Sequence, residues 1–333
     1  MQSFRSQINS KSDRFLKNKE GMEVLVKQLE SHLALSRQEG TEASIARARK
    51  RKKFLARERI NLLLDKDSPF IELMPLAGLQ HENGFGPGGT TVAGIGYVNG
   101  RLCIVNSNLS TRKAGTVDYA TSLKILRLSQ IAMDNHLPTI NLVESGGANL
   151  PDQDRVFNNY GATFKQMSLR SKQGIPTISV VFGNATAGGA YVPGMSDYTI
   201  MQKSAAKVFL AGPPLVKMAT NEDTNDEELG GALMHSRISG VADFLADDEM
   251  DAINIARKVV ATLKPQTPHL IPSKPIVPPR YKAEELLGIV PANLKKPIDV
   301  REVIARIVDN SEFTEFKENY GITMVCCWTK ING

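Results

Sequence analysis

Two apolar, β-branched runs, each ending in a glycine pair, constrain this chain most. One is Thr139-Ile140-Asn141-Leu142-Val143-Glu144, followed by Ser145-Gly146-Gly147-Ala148-Asn149. The other is Thr177-Ile178-Ser179-Val180-Val181-Phe182, which leads to Thr186-Ala187-Gly188-Gly189-Ala190-Tyr191. Both runs read as buried strands. A segment of helical character around 157–171 separates them. A strand–helix–strand crossover returns the second strand parallel to the first, so both glycine turns leave the sheet at one edge. Ligands of open α/β sheets bind in the crevice outside that carboxyl edge.

The turns also carry chemistry. A strand that runs through Ala-Gly-Gly-Ala into a helix leaves amides unpaired at the helix start. Glycine lets a ligand come close to that backbone. Such a turn can hold an oxyanion or a phosphate. A lone glycine pair more often serves only a turn, but two converging sets of amides suit a thioester carbonyl and its enolate.

The surrounding segments extend the sheet. Residues 90–98 and 101–108 flank Asn99-Gly100, the pair favoured in a two-residue type I′ hairpin. A helix is expected over 117–133, with Thr116 as its N-cap and Tyr119, Leu123 and Leu126 as its buried stripe. Strand-like runs follow at 198–201 and 207–211. Residues 221–228 read as an acidic exposed loop, and 247–263 as a helix with acidic residues in its first turn. Ahead of the sheet, Met22, Leu25, Leu29 and Leu33 lie at helical spacing within 13–36, an amphipathic helix suited to a partner surface. A second helix is expected over 44–64.

Charge is unevenly spread. Residues 1–60 hold 15 Lys and Arg against 7 Asp and Glu, while the whole chain is only +6. The run Arg47-Ala48-Arg49-Lys50-Arg51-Lys52-Lys53 reads either as a solvated helix face or as an anion site for a nucleotide-bearing cofactor. No stacking aromatics interleave it, so nucleic acid is not an expected partner. No apolar run is long enough to span a bilayer. Cys103, Cys326 and Cys327 show no metal-ligand spacing, nor do the five histidines, so no metal is expected. Cys103 and His235 read as structural. The few thiols fit a reducing compartment, and residues 1–19 resemble neither a secretory signal nor a mitochondrial presequence.

Four segments are expected. Residues 1–40 form a helical arm and 41–263 the main domain. Residues 264–281, with Pro265, Pro268, Pro272, Pro275, Pro278 and Pro279, form a stiff linker. Residues 282–333 read as the truncated start of a second domain, whose terminal strand finds no partner in this chain.

Several motifs together carry a family resemblance. They are Ala56-Arg57-Glu58-Arg59-Ile60 with Leu63-Leu64-Asp65, Glu144 to Pro151, Thr186 to Pro193, Phe209 to Lys217, and Asp299 to Arg306. The chain resembles the carboxyltransferase (β) subunits of biotin-dependent acyl-CoA carboxylases. The 3-methylcrotonyl-CoA branch is nearest, with geranyl-CoA and short-chain acyl-CoA carboxylases close by. The resemblance implies an α/β, crotonase-like fold of ββα units wound into a superhelix. It implies that the amides of Gly188 and Gly189 hold the enolate oxygen of an acyl-CoA. Gly146, Gly147, Ala148, Ala187, Ala190 and Tyr191 would line the same crevice. It further implies biotin carried on a separate domain, a biotin carboxylase/biotin carrier partner, a homo-oligomer, and a cytoplasmic or mitochondrial-matrix setting. Two other readings stay open: a non-catalytic CoA-binding or assembly module, and a biotin-dependent decarboxylase subunit.

Overall fold

The computed structural model describes residues 2–81, 84–264 and 275–333. Pro265, Pro268 and Pro272 of the expected linker lie outside the described residues. Pro275, Pro278 and Pro279 lie in a stretch without regular structure. The strands are β1 (Gln2–Ser3), β2 (Phe70–Glu72), β3 (Thr91–Val98), β4 (Arg101–Asn108), β5 (Thr139–Ser145), β6 (Thr177–Thr186), β7 (Tyr198–Gln202), β8 (Lys207–Phe209), β9 (Phe244–Ala246), β10 (Glu312–Phe316) and β11 (Cys326–Thr329). They fall into two units, His32–Pro265 and a smaller one made of Met1–Ser31 with Gln266–Gly333.

In the larger unit one sheet runs β2-β3-β4-β5-β6-β7-β9, and β8 also pairs with β6. The hairpin of β3 and β4 turns on Asn99 (φ 51°) and Gly100 (φ 74°), the signs a type I′ turn requires. From β4 onward the pairs are parallel, because helices cross over between them. Residues 177–183 of β6 are buried throughout, as expected for a strand covered on both faces. On one side Ile60, Leu63, Ile253 and Val260 pack on Ile140, Ile178, Val180 and Phe182. On the other, Leu128, Ala132 and Leu137 pack on Ala93 and Ile104.

Local expectations fail where a distant contact decides. The helix expected over 44–64 is two helices, Glu42–Lys50 and Ala56–Leu63. Lys52 between them takes a left-handed φ of 56°, which breaks the hydrogen-bond ladder. The helix expected from 117 begins at Tyr119, and Asp118 caps it by accepting from the Thr121 amide. Thr116 is instead extended, and its carbonyl accepts from the Thr90 hydroxyl. The buried face of this helix is Ala120, Thr121, Lys124, Leu128 and Ala132, while Leu123 is exposed. Residues 226–230 form a short helix capped by Asn225.

In the smaller unit, β1, β10 and β11 form an antiparallel sheet. This corrects the expectation that the terminal strand is unpartnered. The N-terminal residues return to complete the unit: the Tyr281 hydroxyl donates to the Phe4 carbonyl (3.0 Å), and the Ser6 hydroxyl to Glu302 (2.6 Å). Ala305, Val308 and Phe313 form its core. Arg306, with a side chain 1% exposed, pairs with Glu302 and Glu285.

Lys124 has an unusual setting in the larger unit. It is 2% exposed, and its ammonium donates to the carbonyls of Gly88 (3.2 Å) and Thr91 (2.8 Å). Burial pushes its pKa down to about 8, with Glu72 opposing that shift. A lysine with a depressed folded pKa penalises the fold while it is charged. The penalty holds below about pH 8 and disappears as pH rises toward the unfolded value. Relative to Lys124→Met, the native chain should therefore gain up to about 3 kcal/mol between those limits. Denaturant unfolding of both proteins at several pH values measures the difference.

Candidate active site

Strand β5 ends at Ser145, and the turn after it is tied down. The Ser145 hydroxyl donates to the Gly115 carbonyl (2.8 Å) and accepts from the Gly147 amide (3.2 Å). The Gly146 amide donates to Ala114 (2.9 Å), and the Gly147 carbonyl accepts from Val117 (2.8 Å). Both amides of this first glycine pair are thus engaged within the protein. The pair serves close approach instead. Gly147 has φ +93°, and a Cβ there would stand 2.8 Å from the Thr186 carbonyl oxygen.

The second turn differs. After β6, residues 187–190 make a single 3-10 turn, entered through Ala187 at φ 50°. A left-handed alanine is a strained residue of the kind that clusters at functional sites. Among the described residues, no side chain, and no carbonyl outside the turn itself, accepts from the amides of Gly188 or Gly189. A Cβ on Gly189 would meet Ser145 at 3.6 Å, and one on Gly188 would meet the Tyr160 ring at 3.5 Å. The two glycine turns are therefore neighbours at the carboxyl edge of the sheet. Ala148 and Gly188 are half-buried, Gly189 and Ala190 buried, and Gly146, Ala187 and Tyr191 exposed.

Beneath the turns lies a buried ion cluster. Glu144 pairs with Arg59 (2.8 Å) and with Lys53. Arg59, 1% exposed, also grips Glu249 (2.7 Å) and stacks 4.3 Å over Phe182. Burial would raise the Glu144 carboxyl, but Arg59 and Lys53 outweigh it and hold the group below the usual carboxylate range. The basic run is thus partly structural: Lys53 serves Glu144, and Arg49 makes a bidentate pair with Glu58 (2.7 and 2.6 Å). Arg47, Lys50, Arg51 and Lys52 are exposed.

One wall of the crevice is aromatic. Tyr160 lies 5.6 Å from Phe164, which stacks at 4.8 Å on Tyr191. Burial pushes the Tyr160 phenol pKa up, so it stays protonated. Sequence reasoning named Tyr191 but missed Tyr160 and Phe164, although Val156, Tyr160, Thr163, Met167 and Arg170 recur at helical spacing in Gln153–Lys172. From Gly189 and Ser145 a cavity runs between β5 and the flanking helices. Its walls include Val143, Leu128 and Met167, and it reaches Thr139 and Arg170.

The other candidates are structural. Both ring nitrogens of His235 are engaged, Nδ1 with the Ser239 hydroxyl and Nε2 with the Val208 carbonyl, each at 2.7 Å. Cys103 is fully buried, and its thiol is pushed up to about 12 by desolvation. Among the described residues, no three His, Cys, Asp or Glu side chains are grouped to hold a metal.

Two substitutions separate support from the turn itself. Glu144→Gln leaves Arg59 and Lys53 short of a counter-charge and should cost about 3 kcal/mol of stability. The native advantage is fully present above the carboxylate's unfolded pKa and fades as pH falls through its lower folded value. Gly147→Ala meets both the positive φ and the Thr186 carbonyl, and should cost roughly 1–3 kcal/mol. Gly189→Ala finds ordinary van der Waals room and should melt close to the native chain. Calorimetric melts of the three variants check this order.

Comparison with known proteins agrees with this geometry. Residues 47–333 match the carboxyl transferase domain family. A probable biotin-dependent acyl-coenzyme A carboxylase beta2 subunit of Mycobacterium tuberculosis is 55% identical over 277 residues, 83% of this chain and 52% of that protein. A probable mitochondrial methylcrotonoyl-CoA carboxylase beta chain of Drosophila melanogaster is 46% identical, over 98% of this chain and 60% of that protein. The crystal structure of the geranyl-CoA carboxylase beta subunit of P. aeruginosa superimposes with TM-score 0.85 at 39% identity, covering 100% of this chain and 62% of that one. The chain thus spans a little over half the length of these relatives. Its fold is that of carboxyltransferase β subunits, the crotonase-like architecture expected from the sequence. The chain belongs to the carboxyl transferase domain family, together with the β subunits of biotin-dependent acyl-CoA carboxylases.

Proposed function

We propose that this chain forms the acyl-CoA side of a biotin-dependent carboxyltransferase. The observation that carries the reading is the 3-10 turn at Gly188 and Gly189. It stands at the carboxyl edge of a parallel sheet, packed against Ser145 and Tyr160, and among the described residues no side chain takes its amide protons.

The amides of Gly188 and Gly189 hold the thioester oxygen. That oxygen gains charge as the acyl carbon loses a proton, so donors fixed toward it favour the enolate over the ground state. Biotin on a separate carrier would bring the carboxyl group as CO2 and would take up the proton. The enolate carbon then attacks CO2, and the thioester carbonyl reforms. No residue of this chain is assigned to biotin. Ser145 and Gly147 hold the floor of the crevice, with Gly146 and Ala148 at its rim. Ala187 and Ala190 shape the turn, and Tyr160, Phe164 and Tyr191 screen the enolate from water. Exposed Arg47, Lys50, Arg51 and Lys52 are free to meet CoA phosphates.

The working enzyme on this reading pairs the chain with a biotin-carrying partner and repeats it in an oligomer. The relatives' names span methylcrotonyl, geranyl and propionyl thioesters, so the acyl group must be read from the cavity itself. The test is turnover with a biotin-binding carboxyltransferase half supplied. Gly189→Val fills the space before the amides, and should lower turnover about 10²- to 10³-fold, the loss typical of one oxyanion donor. Normal turnover by that variant would remove the assignment.

A further inference from the structure

The cavity that starts at Gly189 ends on a cation without a counter-ion. Arg170 is 3% exposed. Its Nη1 donates to the Thr139 hydroxyl, while its Nε has no partner among the described residues. Among the described residues it makes no ion pair within 4.0 Å. Asp197, the carboxylate that acts on it through space, is committed to the Ser171 hydroxyl (2.7 Å) and the Thr177 amide (2.8 Å). Burial pushes the guanidinium down to about 10, so it remains a cation at neutral pH. The Ser129 hydroxyl also lines the cavity, is buried, and has no partner among the described residues.

A buried, half-satisfied guanidinium is costly in a protein that gains nothing from it. Its fork matches a carboxylate in two-pronged geometry. Most of the wall area between the two ends of the cavity is hydrocarbon, from Val143, Val117, Ile125, Leu128 and Met167, with the neutral amides of Asn106, Asn108 and Asn141 among them. Strand β5 spans the cavity from Thr139 to Ser145, a run of about 20 Å. A thioester seated at Gly189 would therefore send its acyl chain along an apolar passage toward Arg170.

We propose that this cavity selects acyl-CoA substrates whose chain carries a carboxylate at its far end, with Arg170 as the specificity-determining residue. The inference rests on the carboxyltransferase reading, because it places the thioester at Gly188 and Gly189. Thr139 orients the guanidinium, and Ser129 offers the cavity a further hydrogen-bond donor. Among the residues lining the passage Arg170 alone carries a charge, so a carboxylate finds its counter-ion only at that end.

Calorimetric titration of the full chain tests this without turnover. The probes are the CoA monothioesters of succinic, suberic and dodecanedioic acids, each set against the plain acyl-CoA of equal length. The terminal carboxylate should strengthen binding at least tenfold in the longest pair and leave the succinyl pair unimproved, since that chain cannot reach Arg170. Arg170→Met should abolish the gain while plain acyl-CoA still binds, and Arg170→Lys should keep part of it. Equal affinities within the longest pair, or a gain that survives Arg170→Met, overturns the proposal and leaves the carboxyltransferase reading intact. Failure of every thioester to bind overturns both. If Arg170→Met does not fold, the length dependence in the native chain still decides.

Discussion

The carboxyl edge of the larger sheet depends on one half-buried carboxylate. Glu144 stands at the end of β5, where it meets Arg59 from one helix and Lys53 from the segment before it. Strand β6 makes room for it: a Cβ on Gly183 would stand 2.7 Å from a Glu144 carboxylate oxygen. Arg59 in turn holds Glu249 at the start of the helix that covers the sheet. Each charge in this cluster would be expensive alone. Together they join two distant motifs, residues 56–60 and 144–151, to one spot beneath the glycine turns. A single anchor thus fixes where both strands end.

That anchoring explains why the two glycine pairs, alike in sequence, differ in structure. The first is stitched to the loop before it by Ala114, Gly115 and Val117, and its glycines let backbones touch. The second is entered through a left-handed alanine and leans on Ser145. The first turn is the floor on which the second is held. A donor pair that must meet developing charge gains from such rigidity, since no reorganisation is needed when charge appears.

Much of this was legible in the sequence, and the failures have a common cause. The parallel strands, the Asn99-Gly100 hairpin and the neighbouring glycine turns follow from local pattern, because period and turn chemistry act within a few residues. What local pattern missed was set at long range. Thr116 lost the helix cap because its carbonyl was needed by Thr90. Leu123 faces outward because Lys124 is drawn in by the carbonyls of Gly88 and Thr91. The terminal strand found a partner because residues 312–316 pair with it and with residues 2–3. Arg170 shares the helical spacing of the buried stripe in Gln153–Lys172, but an arginine near the end of a polar helix reads as a favourable dipole contact.

The titratable groups around the crevice point the same way as its backbone. Glu144 is locked between cations, and the Tyr160 phenol is held protonated by burial. Each is held in one protonation state or already bonded within the protein, so neither is a ready general base near neutral pH. A site of this kind suits a reaction in which the base arrives with the second substrate and the protein stabilises the anion that results. On the proposed carboxyltransferase reading the enclosing fold has two duties: to keep the amides of Gly188 and Gly189 aimed, and to choose the acyl chain. The Glu144 cluster serves the first from below, and the cavity leading to Arg170 serves the second from the side.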